Sequence, residues 1–411
     1  MYLFTFKSYQ FSTFKQLNND FDIIIVGGGP SGLSAASFLS DKGYNVALFD
    51  SSKVIGEDVV CSGVISNDIF TRYDLPKSSI VAKLQDVELV SPCGSYIEYS
   101  HPQQSVSVVD RHKFDYELFN IASKKGASIF CGSIVRSINI NEQHVDIEVL
   151  VGEEIKNFKS KIVVLATGVR FNLHSKLGFG RPKKIIKAIQ VEINEILNDK
   201  LKLFWGSKYS DGFFGWSIPL DDGRTRVGVM TEGNSKEGIN NLLCELNYDL
   251  EKNNRCINYK QRGISFGSIS KSYSKRAIAI GESAGLVKTT TGGGIFYGIL
   301  SAEIASDVID KCFSTNDFSD NTLCEYESGW KKVIGNEIKY GQYFHNFFSK
   351  LSDDSIDELF EAVGKDGILD YISRRGNFDW HSSAVVKILR SPNIRRVLLN
   401  GFMSTKLRLA I

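Results

Sequence analysis

No uncharged apolar run in the 411 residues approaches the ~20 needed to cross a bilayer, so no transmembrane helix is expected. Cys-x-x-Cys pairs are absent as well. The seven cysteines, at 61, 93, 131, 244, 256, 312 and 324, are odd in number and widely spaced, which speaks against a disulfide framework or a structural zinc site. They read as reduced thiols, mostly small buried hydrophobes, in a cytoplasmic protein without a metal. An excess of one charge is also missing. Lysine and arginine total 49 against 47 acids, a net charge of +2, so nucleic acid is not an expected partner. The first twenty residues are aromatic, but Lys7, Gln10, Lys15, Gln16 and Asn18 interrupt them and no small-residue cleavage site follows. They read as an extension rather than a secretion signal, with Phe4, Phe6, Phe11 and Phe14 as a weak membrane-touching alternative. No solenoid-length repeat or low-complexity linker is visible.

What is present begins at Phe21. Asp22–Val26 is a continuous apolar run suited to a strand buried on both faces of a parallel sheet. A glycine-rich turn follows, then helical spacing from Ser31 to Lys42 closed by Gly43, then a strand over Asn45–Asp50. This is one βαβ unit. A helix over Phe114–Lys125, strands over Ala127–Phe130 and Val145–Val151, and a buried strand over Lys161–Ala166 continue the pattern. Between Lys184 and Gly267 helical periodicity fades and aromatics rise. Asp222-Gly223 between Phe213–Pro219 and Thr225–Met230 predicts a hairpin, and a helix is expected over Glu237–Lys252. Ala277–Gly281 returns to the buried-strand pattern, and from Ile295 onward the chain reads as mostly helical.

The expected fold is therefore α/β. A Rossmann-type domain is assembled from residues 21–75, 105–180 and 270–315. An antiparallel-sheet substrate domain is formed by 76–104 and 181–269, with a helical region over 316–411.

Gly27, Gly29 and Gly32 form a GxGxxG that follows a strand, opens a helix and is answered by Asp50 at the end of the next strand. Gly27 permits the tight turn, Gly29 admits a pyrophosphate, and Gly32 lets the helix pack on the strand. Pro30 and Ser31 open the helix, whose N-terminus offers free N–H groups and a partial positive charge. Asp50 suits two ribose hydroxyls and argues against a 2′-phosphate, leaving FAD or NAD.

Two later segments favour FAD. Ile162–Gly168 is a strand ending in Ala166-Thr167-Gly168. Ala277–Gly285 is a strand running into Gly281 and Glu282, followed by Gly292, Gly293 and Gly294 before a helix starting at Ile295. An acid there can hold a ribityl hydroxyl. The glycines leave room for a flat ring system, and the helix dipole favours the anionic reduced flavin. No second GxGxxG exists, so a dedicated NAD(P)H domain is not expected. The reductant binds transiently or arrives on another protein: NAD(P)H, a reduced deazaflavin or a ferredoxin-type donor.

These residues resemble the geranylgeranyl reductase family of FAD-dependent oxidoreductases, with the fold of the aromatic hydroxylases, over about Phe21–Phe347. The specific matches are Gly56–Ser66, containing Cys61, Ser62 and Gly63; Tyr209–Pro219, similar to an aromatic–x–Trp–x–Phe–Pro motif; and Gly281–Gly285 with Lys288–Gly298. Glu282 and Ser283 stand where the family has Asp and Ala. Phe214 stands in a Tyr place, and Ile218 in a Phe place. Val64 replaces a small residue beside Cys61.

The resemblance implies reduction of isolated double bonds in an isoprenoid lipid, with Arg111 as a further cofactor contact. Trp216 and Phe214 are expected to wall an apolar tunnel whose strand Pro219 ends. Cys61 is the candidate polar group near the reacting carbons, as proton donor or gate, or else a packed thiol. Tyr297 is a second candidate acid or plain packing, and Lys288 a flavin or head-group contact or plain surface.

His381–Ile411 contains no acid and carries Lys387, Arg390, Arg395, Arg396, Lys406 and Arg408 among apolar residues. It reads as a basic amphipathic segment resting on the inner membrane face, or as a helix packed on the flavin domain. The rival functions are a monooxygenase, halogenase or carotenoid cyclase on the same fold, and a non-catalytic FAD electron carrier.

Overall fold

The computed structural model describes residues 19–100, 106–253, 257–365 and 367–398. The aromatic residues before 19, Cys256 and the chain after 398 lie outside them. The central sheet places Asp20–Val26 between two parallel neighbours, Val46–Phe49 and Glu154–Leu165. Ser128–Phe130 extends one side and Ala277–Ala279 the other, both in parallel. Ile23, Ile24 and Ile25 are fully buried, as are Ile162, Val163 and Val164. Both faces are covered, so these strands carry no polar alternation. Helix Pro30–Asp41 packs against helices Arg111–Lys124 and Ile295–Thr315. The strand at 154–165 is longer than its apolar part because its first half pairs antiparallel with Val145–Val151.

The second sheet has seven strands in the order Lys260–Phe266, Lys184–Ile193, Thr225–Thr231, Phe214–Pro219, Leu201–Phe204, Asp86–Val90, Tyr96–Ser100. Thr225 pairs with Pro219, which closes the hairpin expected at Asp222-Gly223. One pair departs from the antiparallel expectation: Leu201–Phe204 runs parallel to Asp86–Val90, because the two come from distant parts of the chain. Residues Ile80–Leu84 do not join this sheet. They pair with Val106–Val109, which also holds Val64–Ser66.

Period-two alternation gives the seven-stranded sheet two apolar faces. Ile189, Val191, Val227 and Val229 pack under helix Ser235–Glu245. Ala188, Leu201, Trp216 and Met230 point the other way. That helix is shorter than the Glu237–Lys252 expectation. Asn234 caps its start by accepting the Glu237 N–H, and Asn247, at φ 57°, turns the chain away after Leu246. The helix expected from Phe114 starts earlier, at Arg111, because the Asp110 carboxylate accepts the N–H groups of His112 and Lys113.

The C-terminal region is helical: Ile295–Thr315, Asp320–Trp330, Asn336–Phe348, Asp353–Lys365, Ile368–Arg375 and Ser382–Arg390. Val385, Ile394, Val397 and Leu398 are buried. The last three belong to a core with Leu359 and Ile368. These residues of the basic segment are thus used in packing rather than offered to a membrane. Among the described residues no helix is long and apolar enough to cross one.

Candidate active site

A cleft of about 610 Å³ runs between the central sheet and the cleft face of the seven-stranded sheet, within the range of small-molecule sites. Every candidate cofactor, wall and proton-donor residue except Gly32, Gly63, Gly281 and Tyr297 is on its lining. The glycines Gly32, Gly63 and Gly281 lie behind it, packed against the neighbouring turns. A Cβ on Gly32 would lie 1.9 Å from the Gly27 carbonyl oxygen, one on Gly27 2.3 Å from the Ala166 carbonyl oxygen, and one on Gly281 2.2 Å from the Ser31 hydroxyl. Gly27 and Gly32 therefore pack against bare backbone, and Gly281 against the Ser31 side chain. Gly29 is different: a Cβ there meets nothing within 4 Å and points into open space. Gly29 caps helix Pro30–Asp41, and no side chain takes its first N–H groups. An open position at an uncapped helix N-terminus is the cradle that a pyrophosphate requires.

Asp50 is held on both oxygens, accepting from Gly28 N–H at 2.6 Å and Ser52 N–H at 2.7 Å. Each oxygen retains a second lone pair for a ribose hydroxyl. Arg170, which the sequence reading missed, crosses from the Ala166–Gly168 turn to donate to Ser51 at 2.7 Å. Glu282 lines the cleft but is already engaged. It pairs with Arg262 of the seven-stranded sheet and accepts the Ser265 N–H at 3.1 Å. Arg262 also donates to the Val60 carbonyl at 3.3 Å.

The Cys61–Gly63 corner is built by two further arginines. The Cys61 sulfur accepts the Gly63 N–H at 3.4 Å. Arg111 lies against the same sulfur and forks onto Asp115 at 2.9 and 2.7 Å. Burial opposes the charge on Arg111, but Asp115 and Cys61 outweigh it and keep the guanidinium protonated. Burial also raises the Asp115 carboxyl against the pull of Arg111. Arg226 comes from the seven-stranded sheet and donates to the Ser62 carbonyl at 2.6 Å while forking onto Glu192. Gly63, at φ 75°, has no room for a side chain between Arg226 and the Val109 carbonyl.

The opposite wall is apolar. Trp216 and Phe214 meet edge to face at 6.4 Å, beside Met230, Leu203 and Ile218. Trp216 lies flat across Gly228, where a Cβ would stand 2.2 Å from the indole ring. At the far end, Phe378 and Asp379 reach in from the C-terminal region. Lys288 donates to Asp379 at 2.8 Å and to the Phe378 carbonyl at 3.0 Å. It is neither a surface lysine nor a free one, and burial lowers its pKa in spite of Asp379. The Tyr297 hydroxyl is buried and donates to the Asp379 carbonyl at 2.8 Å.

The family model for pyridine nucleotide-disulphide oxidoreductases matches residues 21–200. A digeranylgeranylglycerophospholipid reductase of Methanocaldococcus jannaschii is 29% identical over 371 residues, covering 86% of this chain and 94% of that one. The chain is thus an FAD-dependent oxidoreductase similar to the geranylgeranyl reductases. A solved geranylgeranyl bacteriochlorophyll reductase-like protein of Thermoplasma acidophilum shares the fold, with a TM-score of 0.79 at 23% identity over 93% of this chain and 99% of that one. A halogenase in complex with FAD does so at 0.65 and 13% identity, over 94% and 91% of the two chains. Both the α/β Rossmann-type architecture and the FAD cofactor of this flavoprotein accord with the sequence reading.

Proposed function

We propose that this flavoprotein reduces isolated double bonds in an isoprenoid lipid. The observation that carries the reading is the division of the cleft: a cradle of backbone turns on one side and, facing it, an apolar wall of Trp216, Phe214, Leu203, Ile218 and Met230. Such a wall offers an alkene shape and dryness with few polar groups, the Trp216 Nε1–H and the Gln190 side-chain carbonyl, which suits a hydrocarbon chain.

Gly27, Gly29, Pro30, Ser31 and Gly32 would hold the pyrophosphate of FAD and Asp50 its adenosine ribose. The turns at Ala166–Gly168, at Gly281-Glu282 and at Gly292–Ile295 would hold the remainder, with Ser62 and Gly63 on the substrate side. FAD, once reduced, supplies the hydride. The chain's own residues orient the alkene, exclude water and deliver one proton. Trp216 and Phe214 are placed to confine the chain. Cys61 is the candidate proton donor, and Arg111 and the Gly63 N–H fix the position of its sulfur. Arg262 and Arg226 tie the wall to the turns, so closure of the wall and placement of Cys61 are coupled.

The isoprenoid assignment draws support from the archaeal relative's name. The test is incubation of the reduced protein with a geranylgeranyl lipid and mass analysis of the product. A gain of two hydrogens per double bond supports the reading, and an unchanged lipid with rapid oxygen uptake supports a monooxygenase or halogenase instead. The electron donor is proposed to be NAD(P)H, a reduced deazaflavin or a ferredoxin-type protein, bound transiently.

A further inference from the structure

A second cavity, of about 140 Å³, lies under the C-terminal helices, and all thirteen residues that line it are apolar. Its floor is Leu89, Ile97 and Trp205. Phe344, Leu359 and Val363 belong to its roof, carried by helices Asn336–Phe348 and Asp353–Lys365.

The register of the seven-stranded sheet relates this cavity to the main cleft. Leu203, on the cleft lining, pairs with Leu89, on the cavity lining, and Leu89 pairs with Ile97. Directly paired residues share a face, and neighbouring strands lie about 4.8 Å apart. The apolar surface that walls the cleft therefore continues, strand by strand, into the floor of the second cavity. Trp205 stands at the junction. Its ring centroid is 5.6 Å from that of Phe214, which lines the cleft, and 5.8 Å from that of Phe360, which lines the cavity.

We propose that this second cavity is a subsite for the distal end of the hydrocarbon chain whose double bond lies in the cleft, with the Trp205–Phe214 ring pair as the passage between them. The inference rests on the isoprenoid reading above and adds where the rest of the chain goes. Several features favour a chain terminus over any other occupant. A lining without charged or amide groups has nothing for a phosphate, a glycerol or a quinone ring to bond to. The cavity's volume is close to that of an apolar cavity that accepts a benzene-sized guest, so it suits roughly one branched five-carbon unit. Burial of apolar carbon favours binding by roughly fourfold per CH₂, so burying all five carbons would tighten binding by up to about a thousandfold. The subsite thus selects for length: a chain too short to pass Trp205 gains none of this.

Val363→Trp fills the subsite from its roof. In the holoenzyme it is expected to raise KM for a twenty-carbon prenyl substrate at least tenfold and leave KM for a ten-carbon prenyl substrate unchanged. An equal effect on both chains, or none on either, overturns the subsite. Trp205→Ala widens the passage and guards against a folding defect in the first variant. It is expected to change the ratio of the twenty-carbon KM to the ten-carbon KM by threefold or more, and an unchanged ratio overturns the passage.

A readout without turnover uses a fatty acid bearing a nitroxide, with Trp205→Phe as the reference. A label at the chain terminus should quench Trp205 fluorescence more strongly than a label beside the carboxylate. Equal quenching by both labels overturns the subsite. If the wild-type protein reduces neither prenyl chain, the isoprenoid reading fails, and the quenching comparison still decides what the cavity holds.

Discussion

Lys288 and Asp379 meet at 2.8 Å across 91 residues of sequence, with side-chain exposures of 5% and 2%. The contact joins the turn before helix Ile295–Thr315 to the segment that precedes helix Ser382–Arg390. Asp379 is also bonded by Ser66, and Lys288 donates to the Phe378 carbonyl as well. The pair fixes one end of the cleft to the C-terminal region. Removal of one partner strands the other charge in the interior, at a cost of about 3–5 kcal/mol. Lys288→Met should therefore lower the urea unfolding midpoint strongly, and Lys288→Met with Asp379→Leu should recover most of the loss. A single variant as stable as wild type would mean that the pair is not held as described.

Gly29 and Gly32 make opposite demands. Gly32→Ala forces a methyl group against the Gly27 carbonyl, so the turn must shift and the fold should lose stability. Gly29→Ala meets no protein atom, so stability should be unchanged while the methyl occupies the cradle and FAD binding weakens by tenfold or more. Flavin absorbance per mole of purified protein and thermal unfolding of both variants separate the two effects. Loss of stability in Gly29→Ala with full flavin content would contradict the cradle.

Gly228→Ala should tilt the Trp216 indole off the sheet, because the added carbon would lie 2.2 Å from the ring. The expected result is a tenfold or greater drop in turnover at full flavin content, read by steady-state kinetics alongside the visible spectrum. Cys61→Ser should also keep the yellow holoprotein while lowering turnover. Wild-type rates in that variant would remove Cys61 from the proton path.

His381 supplies a pH dependence. Burial, aided by the Lys288 charge, depresses its pKa to about 4, and its ring bonds to Thr290 and to the Phe378 carbonyl. The unfolded chain takes up a proton near 6.5, whereas the folded chain resists until about 4. Between these values the unfolded state binds more protons, so this group's contribution to stability falls as pH drops from about 6.5 to about 4 and levels off below that. His381→Asn should flatten the fall in melting temperature across that window relative to wild type. Identical slopes would place the imidazole in solvent.

Much of the fold was legible because buried strands and glycine turns are local signals. Ile23–Ile25 and Ile162–Val164 carry no polar residue, and the hairpin at Asp222-Gly223 announces its own register. The residues that close the site were hidden for a physical reason. An arginine in a strand, such as Arg226 or Arg262, reads as one solvent-facing position in an alternating pattern. Its role depends on a turn about 160–200 residues earlier. Lys288 could be read as a flavin or head-group contact or as plain surface, but not as an ion-pair partner of Asp379, which lies 91 residues away. The Asp110 cap was a local signal and would have moved the start of its helix back to Arg111. The parallel pairing of Leu201–Phe204 with Asp86–Val90 left no such mark, since nothing in either strand specifies a distant neighbour.

The most direct test of the central claim is an oxygen-free titration. The bound flavin is reduced chemically until its colour is lost, and a geranylgeranyl lipid is then added. The account predicts that colour returns in proportion to the double bonds saturated, with no other oxidant present. Flavin that stays colourless with the lipid and recovers only when air is admitted would contradict it.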